Sequence, residues 1–476
     1  MSLVQALPDG PLDVVGDIHG EYEALLALLG HLGYDEQGYH PQGRSLVFVG
    51  DFCDRGPDSP AVLNLAQRLV ESGRAKAVLG NHEINLLRED PKDGSGWYFD
   101  ERQHSDAPKY APFARLPKAL QQSTLEFLQT LPLALERADL RIVHAAWVAE
   151  SIAAVRQVPT NALQTSYSDW EMRAAERSRE SNLQARMQEE QMRWPWSLED
   201  KSHIPPMLCA LAEHEANEQM LNPIKILTSG VERPSAAPFY TSGKWRFAER
   251  VAWWDSYEDD TPVVVGHYWR RLDEIDRAQV GKQDVDLFAG VDPLTWHGKK
   301  GNVFCVDFSA GGRWKSRKDQ HPPASHFKLA ALRWPENQVV FDDGQCFAAQ
   351  GFMETATRDL SASAKEWRDQ DRQPAAAARP PMNRRLANPP LDADTRVLIS
   401  QEVQLDDYPA WHQVWRWEGI EGHSLIFPTS SVPALDDAAL KALVVGRGYA
   451  EEQASFTFAR RDEWTFVNFN FRELDA

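Results

Sequence analysis

Short apolar runs that end in polar, glycine-flanked turns recur along the first part of the chain. Residues 12–15, 45–49 and 75–79 have the length and the apolar content of buried strands. A polar turn and then a segment of helical character follow each run, which is the strand–turn–helix order of an α/β unit. Because the carboxyl ends of such strands share one edge of a sheet, we expect the three turns to form the active site.

Later apolar segments predict further strands of the same sheet system, at residues 140–143, 262–266, 302–307, 326–332 and 337–341. His144 follows the first of these strands and His267 follows the second. The pair Gly311-Gly312 is expected to join the late strands through a turn.

Two insertions interrupt this pattern, at about residues 90–117 and 150–250. The first is rich in Asp, Lys, Tyr and Pro and is predicted to be a surface loop. In the second, residues 169–192 lack Pro and Gly and predict one helix with a solvated face. Trp194-Pro195-Trp196 would end that helix, because proline cannot continue it. We expect this insertion to form a cap beside the site.

The pattern divides the chain into a domain at residues 1–350, a proline-containing linker at 355–391 and a small α+β domain of unknown role at 392–476. Strands are predicted in the last domain at residues 411–417, 423–427, 455–460 and 464–471, with a helix at 436–443. Residues 463–471 carry aromatic side chains on both faces, so an oligomer could form through this domain.

The amino-acid composition of the chain argues against some classes of binding partner. A net charge of -19 over 476 residues argues against a nucleic-acid-binding surface. No apolar run approaches the length that spans a bilayer, and no secretory signal is visible, so no membrane partner and a cytoplasmic location are expected. Four scattered cysteines predict neither a disulfide framework nor structural zinc, and Cys53 is expected to be an apolar filler beside the site.

The polar turns contain carboxylate, imidazole and amide groups, which together suit divalent manganese foremost, and also iron, zinc, magnesium or nickel. The predicted metal ligands are Asp17, His19, Asp51, Asn81, His144 and His267. Asp17 and His19 can face one ion, Asp51 can bridge two ions, and the remaining three residues can complete the second site. Two bridged ions can activate water and clamp a phosphoryl group, so the pattern indicates a two-metal hydrolase.

These segments resemble the calcineurin-like metallophosphoesterases, specifically the phosphoprotein phosphatase type. Residues 16–20 (GDIHG), 50–56 (GDFCDRG) and 80–83 (GNHE) match the motifs GDxHG, GDxxDRG and GNHE, and two separate histidines follow, as in that family. Residues 305–312 are similar to the closing strand and turn of the bacterial members. The resemblance implies an α/β sandwich of two β-sheets flanked by helices, with the insertions and the C-terminal α+β domain outside it.

The resemblance also implies the roles of particular residues. Water activated by the two metals would attack phosphorus in line, and Arg55 with Asn81 would hold the phosphate oxygens. His82 would donate a proton to the leaving oxygen, with Asp54 stabilising its charge. Taken alone, Arg55 could instead form an ion pair with Asp54 or Asp58, and His82 could cap its own turn.

One departure from the family concerns a second phosphate-binding arginine. Eukaryotic members carry it between a Trp-containing segment and the last metal histidine, but here no arginine separates Trp253-Trp254-Asp255 from His267. The candidate substitutes are Arg246, Arg250, Arg270 and Arg271. Five further histidines are expected to be surface residues or locally bonded: His203, His214, His297, His321 and His326.

Three functions remain open. The leading one is a serine/threonine protein phosphatase, acting on a phosphorylated protein. The alternative is hydrolysis of diadenosine polyphosphates, nucleotides or other small phosphate esters, although such dinucleotide hydrolases commonly lack the acid at Asp54 and have Asp in place of Glu83. A third possibility is a non-catalytic binding scaffold, which the complete ligand set disfavours.

Overall fold

A computed structural model describes residues 1–241, 243–273, 284–319 and 326–353. Within residues 396–473 it describes 396–405, 408–417, 420–428, 432, 436–446, 454–461 and 464–473. The predicted linker at 355–391 and His321 lie outside the described residues.

The strands up to residue 348 are β1 (Val4–Ala6), β2 (Leu12–Val15), β3 (Ser45–Phe48), β4 (Ala75–Ala77), β5 (Ala134–Arg137), β6 (Leu140–Val143), β7 (Glu232–Thr241), β8 (Lys244–Arg250), β9 (Val263–Val265), β10 (Val303–Cys305), β11 (Ala330–Trp334), β12 (Gln338–Phe341) and β13 (Cys346–Ala348). The helices of the same region are α1 (Tyr22–Leu32), α2 (Ser59–Glu71), α3 (Asn81–Leu87), α4 (Asp100–Tyr110), α5 (Lys118–Leu128), α6 (Ala149–Val155), α7 (Leu163–Glu180), α8 (Leu183–Arg193), α9 (Cys209–Met220), α10 (Pro223–Ser229) and α11 (Arg313–Lys318).

Two sheets pack face to face. One has the order β13-β12-β11-β2-β3-β4, with β2, β3 and β4 parallel. The other has the order β1-β5-β6-β9-β10, with β6, β9 and β10 parallel. Val14 and Val47 of the first sheet share a buried cluster with Ile142 and Val264 of the second. Side chains at the other positions of these strands point away from the opposite sheet and pack against the helices, because successive residues of a strand face opposite sides. This is the predicted sandwich.

The parallel strands end at one edge of this sandwich. Consequently the residues that follow β2, β3, β4, β6 and β9 meet there. The sequence did not predict β1, β5 or β13, which are short. The late strand predicted at 326–332 begins later, at Ala330, and α11 follows Gly311-Gly312 instead of a simple turn.

The first insertion is not a plain loop, so that prediction is wrong. It contains helix α4, whose Pro108 weakens the helical signal in the sequence. The buried carboxylate of Asp106 in this helix accepts hydrogen bonds from the backbone N–H groups of Gly94 and Gly96. The insertion is thereby folded back on itself beside the site.

The second insertion contains α6 to α10 and the hairpin β7–β8. The single helix predicted at 169–192 is two helices, α7 and α8, because Asn182 takes a left-handed conformation with φ 52°. Trp194 ends α8, as predicted. The insertion is attached to the sandwich by Arg88, which follows α3 and stacks on Tyr167 at 4.0 Å while its guanidinium donates to Glu171 at 3.1 Å.

The C-terminal segments form one antiparallel sheet and a helix. The strands are β14 (Arg396–Leu405), β15 (Tyr408–Trp417), β16 (Ile420–Pro428), β17 (Phe456–Arg461) and β18 (Trp464–Glu473), in the order β14-β15-β16-β18-β17, and the helix is α12 (Asp437–Gly446). The four predicted strands and the helix are present, and β14 is additional. In the described part of the chain, none of the helices has both the length and the apolar character needed to cross a membrane.

A buried ionic cluster fastens the start of β2 to β11. The side chain of Asp13 is fully buried and accepts from Arg44 Nε at 2.9 Å, Arg333 Nε at 3.0 Å and the hydroxyl of Tyr34 at 2.9 Å. Arg44 and Arg333 also donate to main-chain carbonyls, including that of Leu32. The carboxylate is thus the common acceptor that balances the buried guanidinium of Arg44 and the partly buried one of Arg333.

We expect Asp13→Ala to lower the free energy of unfolding by about 3–5 kcal/mol, because it leaves two arginines without their buried counter-charge. Urea denaturation followed by circular dichroism measures this. Glu258→Ala is the control, since Glu258 pairs with Lys299 at the surface and its removal should barely change stability. Equal effects of the two substitutions would contradict the role of Asp13.

Candidate metal centre

Six residues predicted as metal ligands lie together at the carboxyl ends of five strands. They are Asp17, His19, Asp51, Asn81, His144 and His267, and all but Asn81 are buried. Two groups of side chains have ligand atoms close enough to hold an ion: His19, Asp51 and His82, and Asp51, His144 and His267. Asp51 belongs to both groups, as a bridging carboxylate would.

Asp51 is the centre of this arrangement. Its Oδ2 atom lies 3.6 Å from Nε2 of His19, 3.4 Å from Nε2 of His144 and 3.9 Å from Nε2 of His82. Its other oxygen accepts the backbone N–H of His82 at 3.1 Å. One carboxylate oxygen is therefore surrounded by three imidazole nitrogens.

The tautomers of two imidazoles follow from their outer contacts. Nδ1 of His19 faces the carbonyl of Cys53 at 2.9 Å, and Nδ1 of His144 faces the carbonyl of Val49 at 2.7 Å. A carbonyl only accepts, so both Nδ1 atoms carry the proton and both Nε2 atoms direct a lone pair at Asp51 when the rings are neutral. Carbonyl partners of this kind orient metal-ligating histidines.

Asn81 completes the second group. Its Oδ1 atom lies 3.3 Å from Nε2 of His144 and 3.0 Å from Nδ1 of His267. Thus an amide oxygen, a carboxylate oxygen and an imidazole lone pair face one another over short distances. Such acceptors repel each other unless a proton or a metal ion lies between them, and the donor set suits a divalent transition metal.

Asp17 provides the clearest evidence that these residues fit a metal ion. Its Oδ2 accepts the backbone N–H of His267 at 2.9 Å, but its buried Oδ1 has no hydrogen-bond partner. An ionised carboxylate oxygen buried without a partner is unfavourable unless an ion coordinates it. The residues present therefore fit a pair of divalent ions held around Asp51.

The pKa shifts of the buried groups in the pocket also favour a bound cation. Burial alone would lower the pKa of His144, but the carboxylates of Asp51 and Asp17 raise that pKa to about 10. Burial raises the pKa of Asp17 well above its usual range, and the neighbouring Asp307 adds to the shift. The pocket concentrates negative charge that a bound cation would balance.

Glu83 fastens the turns that carry these ligands. Its fully buried carboxylate accepts the backbone N–H groups of Asp51 at 2.8 Å, Phe52 at 2.9 Å and Gly80 at 3.0 Å. The thiol of Cys53 donates to the same carboxylate at 3.3 Å, and burial raises the pKa of that thiol, so Cys53 is an inert filler.

Two glycines allow the close approach of these turns. A Cβ atom on Gly80 would lie 2.2 Å from Oδ1 of Asp51, and one on Gly311 would lie 2.3 Å from the ring of His19. Any side chain at either position would displace a candidate ligand. The turn at Gly311 is therefore part of the site and not only a connection between strands.

His82, Asp54 and Trp97 form a hydrogen-bonded chain. Nδ1 of His82 lies 2.5 Å from Oδ2 of Asp54, and Nε1 of Trp97 donates to the other oxygen of Asp54 at 2.5 Å. All three side chains are buried. The ring of His82 is thus fixed with Nε2 towards the pocket, 3.9 Å from Oδ2 of Asp51.

Arg55 lies over the pocket. Its Nη1 is 3.0 Å from Nε2 of His19, and its guanidinium lies 4.9 Å from the ring of Trp269. No ion pair between Arg55 and Asp54 or Asp58 is present in the described residues, and Nη1 of Arg55 is directed at His19 in the pocket. A phosphate group bound there would meet the N–H donors of this guanidinium.

The other candidate arginines differ in position. Arg250 is exposed near the site, and its charge lowers the pKa of His267, for which burial is the larger cause. Arg270 is not brought to the site: its side chain donates to the carbonyl of Asp292 at 2.5 Å and stacks on Phe288. Arg271 lies over Phe327, and Arg246 is half-buried on β8.

The remaining histidines are locally bonded. Nδ1 of His203 contacts Asp200 at 2.7 Å, and that of His326 contacts Asp273 at 3.1 Å. His214 lies 3.5 Å from Glu218. His297 is buried against Trp254, which the sequence did not indicate, and burial lowers its pKa to about 3.

Sequence reasoning missed several residues that shape the site. Trp97 lies in the insertion that was predicted to be a surface loop, and Trp269 directly follows a strand-end turn. Asp307 ends the last parallel strand segment and accepts the backbone N–H of Trp269 at 2.7 Å. The only signal in the sequence was the position of two of these residues. Asp307 ends the strand predicted at residues 302–307, and Trp269 follows the strand-end residue His267 by two positions.

We expect Glu83→Gln to weaken manganese binding about 10–100-fold, because an amide NH₂ would face main-chain donors and loosen the turn of Asp51. Equilibrium dialysis of manganese measures the affinity. The lost acceptor should also cost about 1–3 kcal/mol of stability. Glu136→Gln is the matched control. Glu136 lies on β5 and pairs with Arg156, and its substitution should leave manganese affinity unchanged. Unaltered binding by Glu83→Gln would contradict this role.

Comparison with known proteins adds a family to this geometry. Residues 10–159 match the family model of the calcineurin-like phosphoesterases. An asymmetrical bis(5'-nucleosyl)-tetraphosphatase from Halalkalibacterium halodurans is 46% identical over 79 residues, which is 16% of this chain and 32% of that protein. A symmetrical bis(5'-nucleosyl)-tetraphosphatase from Ralstonia nicotianae is 44% identical over 77 residues, which is 16% of this chain and 24% of that protein. The chain thus spans about a third or less of the length of these relatives.

Among solved structures, a cold-active protein-tyrosine phosphatase from a psychrophilic Shewanella species is 15% identical, covers 73% of this chain and 82% of its own, and has a TM-score of 0.36. The family match agrees with the family that the three motifs resemble, over residues 10–159 of this chain.

Proposed function

We propose that this protein is a phosphate monoester hydrolase that uses two divalent metal ions, with manganese as the leading candidate. The observation that carries the proposal is the convergence of acceptor atoms on Asp51, whose Oδ2 lies within 3.9 Å of three imidazole nitrogens. When bound, the ions would supply positive charge to the phosphate and lower the pKa of water.

The residues beside this pocket have separate tasks. Arg55 directs its N–H groups towards the pocket and would bind phosphate oxygens as their charge is redistributed. His82 presents Nε2 to the pocket and would donate a proton from that atom to the leaving oxygen. Asp54 fixes the ring of His82 through Nδ1, and Trp97 fixes Asp54 in turn.

The paired Asp54 and His82 support a substrate with a poor leaving group. The hydroxyl oxygen of serine or threonine is a strong base when it leaves and benefits from a proton donor, whereas a polyphosphate leaves easily without one. A phosphorylated serine or threonine in a protein is therefore the substrate class we favour. A proton donor held in place at the leaving-group side is what that reaction requires.

A second candidate is hydrolysis of dinucleoside polyphosphates. It is supported by the names of the relatives from Halalkalibacterium halodurans and Ralstonia nicotianae, whose similarity extends over 79 and 77 residues of this chain. A non-catalytic scaffold is disfavoured because the predicted ligands lie together. The cytoplasmic location, and an oligomer formed through residues 392–476, stay predictions from the sequence.

We expect chelator-treated protein to be inactive and to regain turnover with manganese. The assay offers phosphoserine, phosphothreonine and phosphotyrosine peptides beside diadenosine tetraphosphate and an aryl phosphate. Asp51→Asn should abolish turnover of every substrate, because it removes the shared carboxylate. Asp35→Asn, in an exposed loop, is the control. Substantial activity of Asp51→Asn would overturn the two-metal proposal, and cleavage of the dinucleotide alone would overturn the substrate class.

We expect His82→Asn to slow hydrolysis of a phosphoserine peptide by about 10²–10⁴ and to affect an aryl phosphate with a good leaving group far less. Asparagine retains an N–H for Asp54 but has no proton to give from the position of Nε2. Steady-state kcat for the two substrates and manganese content by elemental analysis are compared. An equal loss on both substrates, or loss of bound metal, would show that His82 is a ligand and not the proton donor.

A further inference from the structure

Trp269 stands out among the residues that the motifs do not account for. It is half-buried, follows the candidate ligand His267 by two positions, and has a left-handed backbone with φ 55°. His267 itself has φ 71°. Two bulky residues in this conformation within one short turn are unusual, and such strain persists where the surroundings enforce it.

Carboxylates hold this turn at two points. Asp17 accepts the backbone N–H of His267 at 2.9 Å, and Asp307 accepts the backbone N–H of Trp269 at 2.7 Å. Asp307 also accepts the backbone N–H of Ser309 at 2.8 Å, and the Ser309 hydroxyl donates to the carbonyl of Arg270 at 2.7 Å. The backbone of Trp269 is therefore held on both sides, which limits the positions that its indole can take.

The indole of Trp269 lies beneath the side chain of Arg55. The guanidinium carbon of Arg55 lies 4.9 Å from the centre of the indole, within the range of a cation–π contact. The indole also lies 6.3 Å from the imidazole of His19, ring centre to ring centre. It thus forms one wall of the pocket at the point where Arg55 enters it.

The contacts of Arg55 show why such a wall matters. Its side chain is long, and among the described residues the one side-chain hydrogen bond that it forms is to Nε2 of His19, which is itself a candidate metal ligand. A metal ion on that nitrogen would compete for the same lone pair. The indole face is a contact that Arg55 can keep with its N–H donors free for phosphate.

We propose that Trp269 is a positioning residue, which holds the guanidinium of Arg55 over the pocket so that it can bind the phosphate group of the substrate. This inference rests on the proposed phosphate-binding function of the site. Asp307 contributes indirectly, because it accepts the backbone N–H of Trp269 and thereby fixes that backbone. The indole stabilises one orientation of Arg55 before phosphate arrives, which lowers the entropic cost of binding.

The test measures equilibrium binding of radiolabelled inorganic phosphate to manganese-loaded full-length protein, so it needs no turnover. Trp269→Ala should weaken phosphate binding about 5–30-fold, the upper part of the range of one cation–π contact. Trp269→Phe keeps an aromatic face and should stay within about threefold of the natural protein. Manganese content and the thermal midpoint are measured for each variant.

A double-mutant cycle separates positioning from a general structural effect. In an Arg55→Ala background, Trp269→Ala should change phosphate affinity less than about twofold, because the residue through which it acts is gone. Trp314→Ala is the matched control: Trp314 is half-buried beneath Lys109 at 5.0 Å, and its removal should leave phosphate binding unchanged.

Each outcome has a distinct meaning. Additive losses in the double variant, no loss in Trp269→Ala, or the same loss in Trp314→Ala would overturn the role of Trp269. Loss of bound manganese in Trp269→Ala would also overturn it, because the residue would then support the metal ligands. Failure of the natural protein to bind phosphate at all would instead overturn the proposed function of the site.

Discussion

The site depends on one buried carboxylate that faces three imidazole nitrogens. Asp51 has a left-handed backbone with φ 50°, an unfavourable conformation for this residue that directs its side chain into the pocket. Glu83 maintains it by accepting the N–H groups of Asp51 and Phe52 in that turn and of Gly80 in its own turn. Burial alone would raise the pKa of Asp51, but His144, His82 and His19 lower that pKa well below its usual range, so the buried carboxylate is ionised and suited to bind cations.

The same interactions join the two sheets. Nδ1 of His144, at the end of β6, donates to the carbonyl of Val49, which follows β3 in the other sheet. The backbone N–H of His267, after β9, donates to Asp17, which follows β2. Because these bonds cross the sandwich at its carboxyl edge, the orientation of the ligands and the packing of the sheets are coupled. The distant cluster around Asp13 fastens the first sheet near the opposite ends of its strands.

Much of this could be predicted from the sequence because the relevant residues follow apolar runs directly. Asp17, Asp51 and His144 each come after a short buried strand, and strand ends in an α/β sandwich share an edge. The sequence could not predict the contacts that hold the side chains of the site in place. Trp97 reaches Asp54 from an insertion whose helix is obscured by Pro108, and its role depends on how that insertion folds back.

Local conformation explains the other failures. Asn182 divides a segment whose composition is helical throughout, and a single left-handed residue leaves no periodic signal. Trp269 reaches Arg55 because its turn is left-handed and fastened by Asp307, which propensities do not encode. Arg270, one position later, was a candidate for phosphate binding, but its guanidinium is directed to the carbonyl of Asp292.

The central claim is that Asp51 is shared by two cation sites. The most direct measurement is the number of manganese ions bound per chain at saturation, by equilibrium dialysis with elemental analysis, for the natural protein and for His267→Ala. The account predicts two ions for the natural protein and one for the variant, since His267 belongs to only one of the two groups that contain Asp51. A single ion in the natural protein, or none, would contradict it.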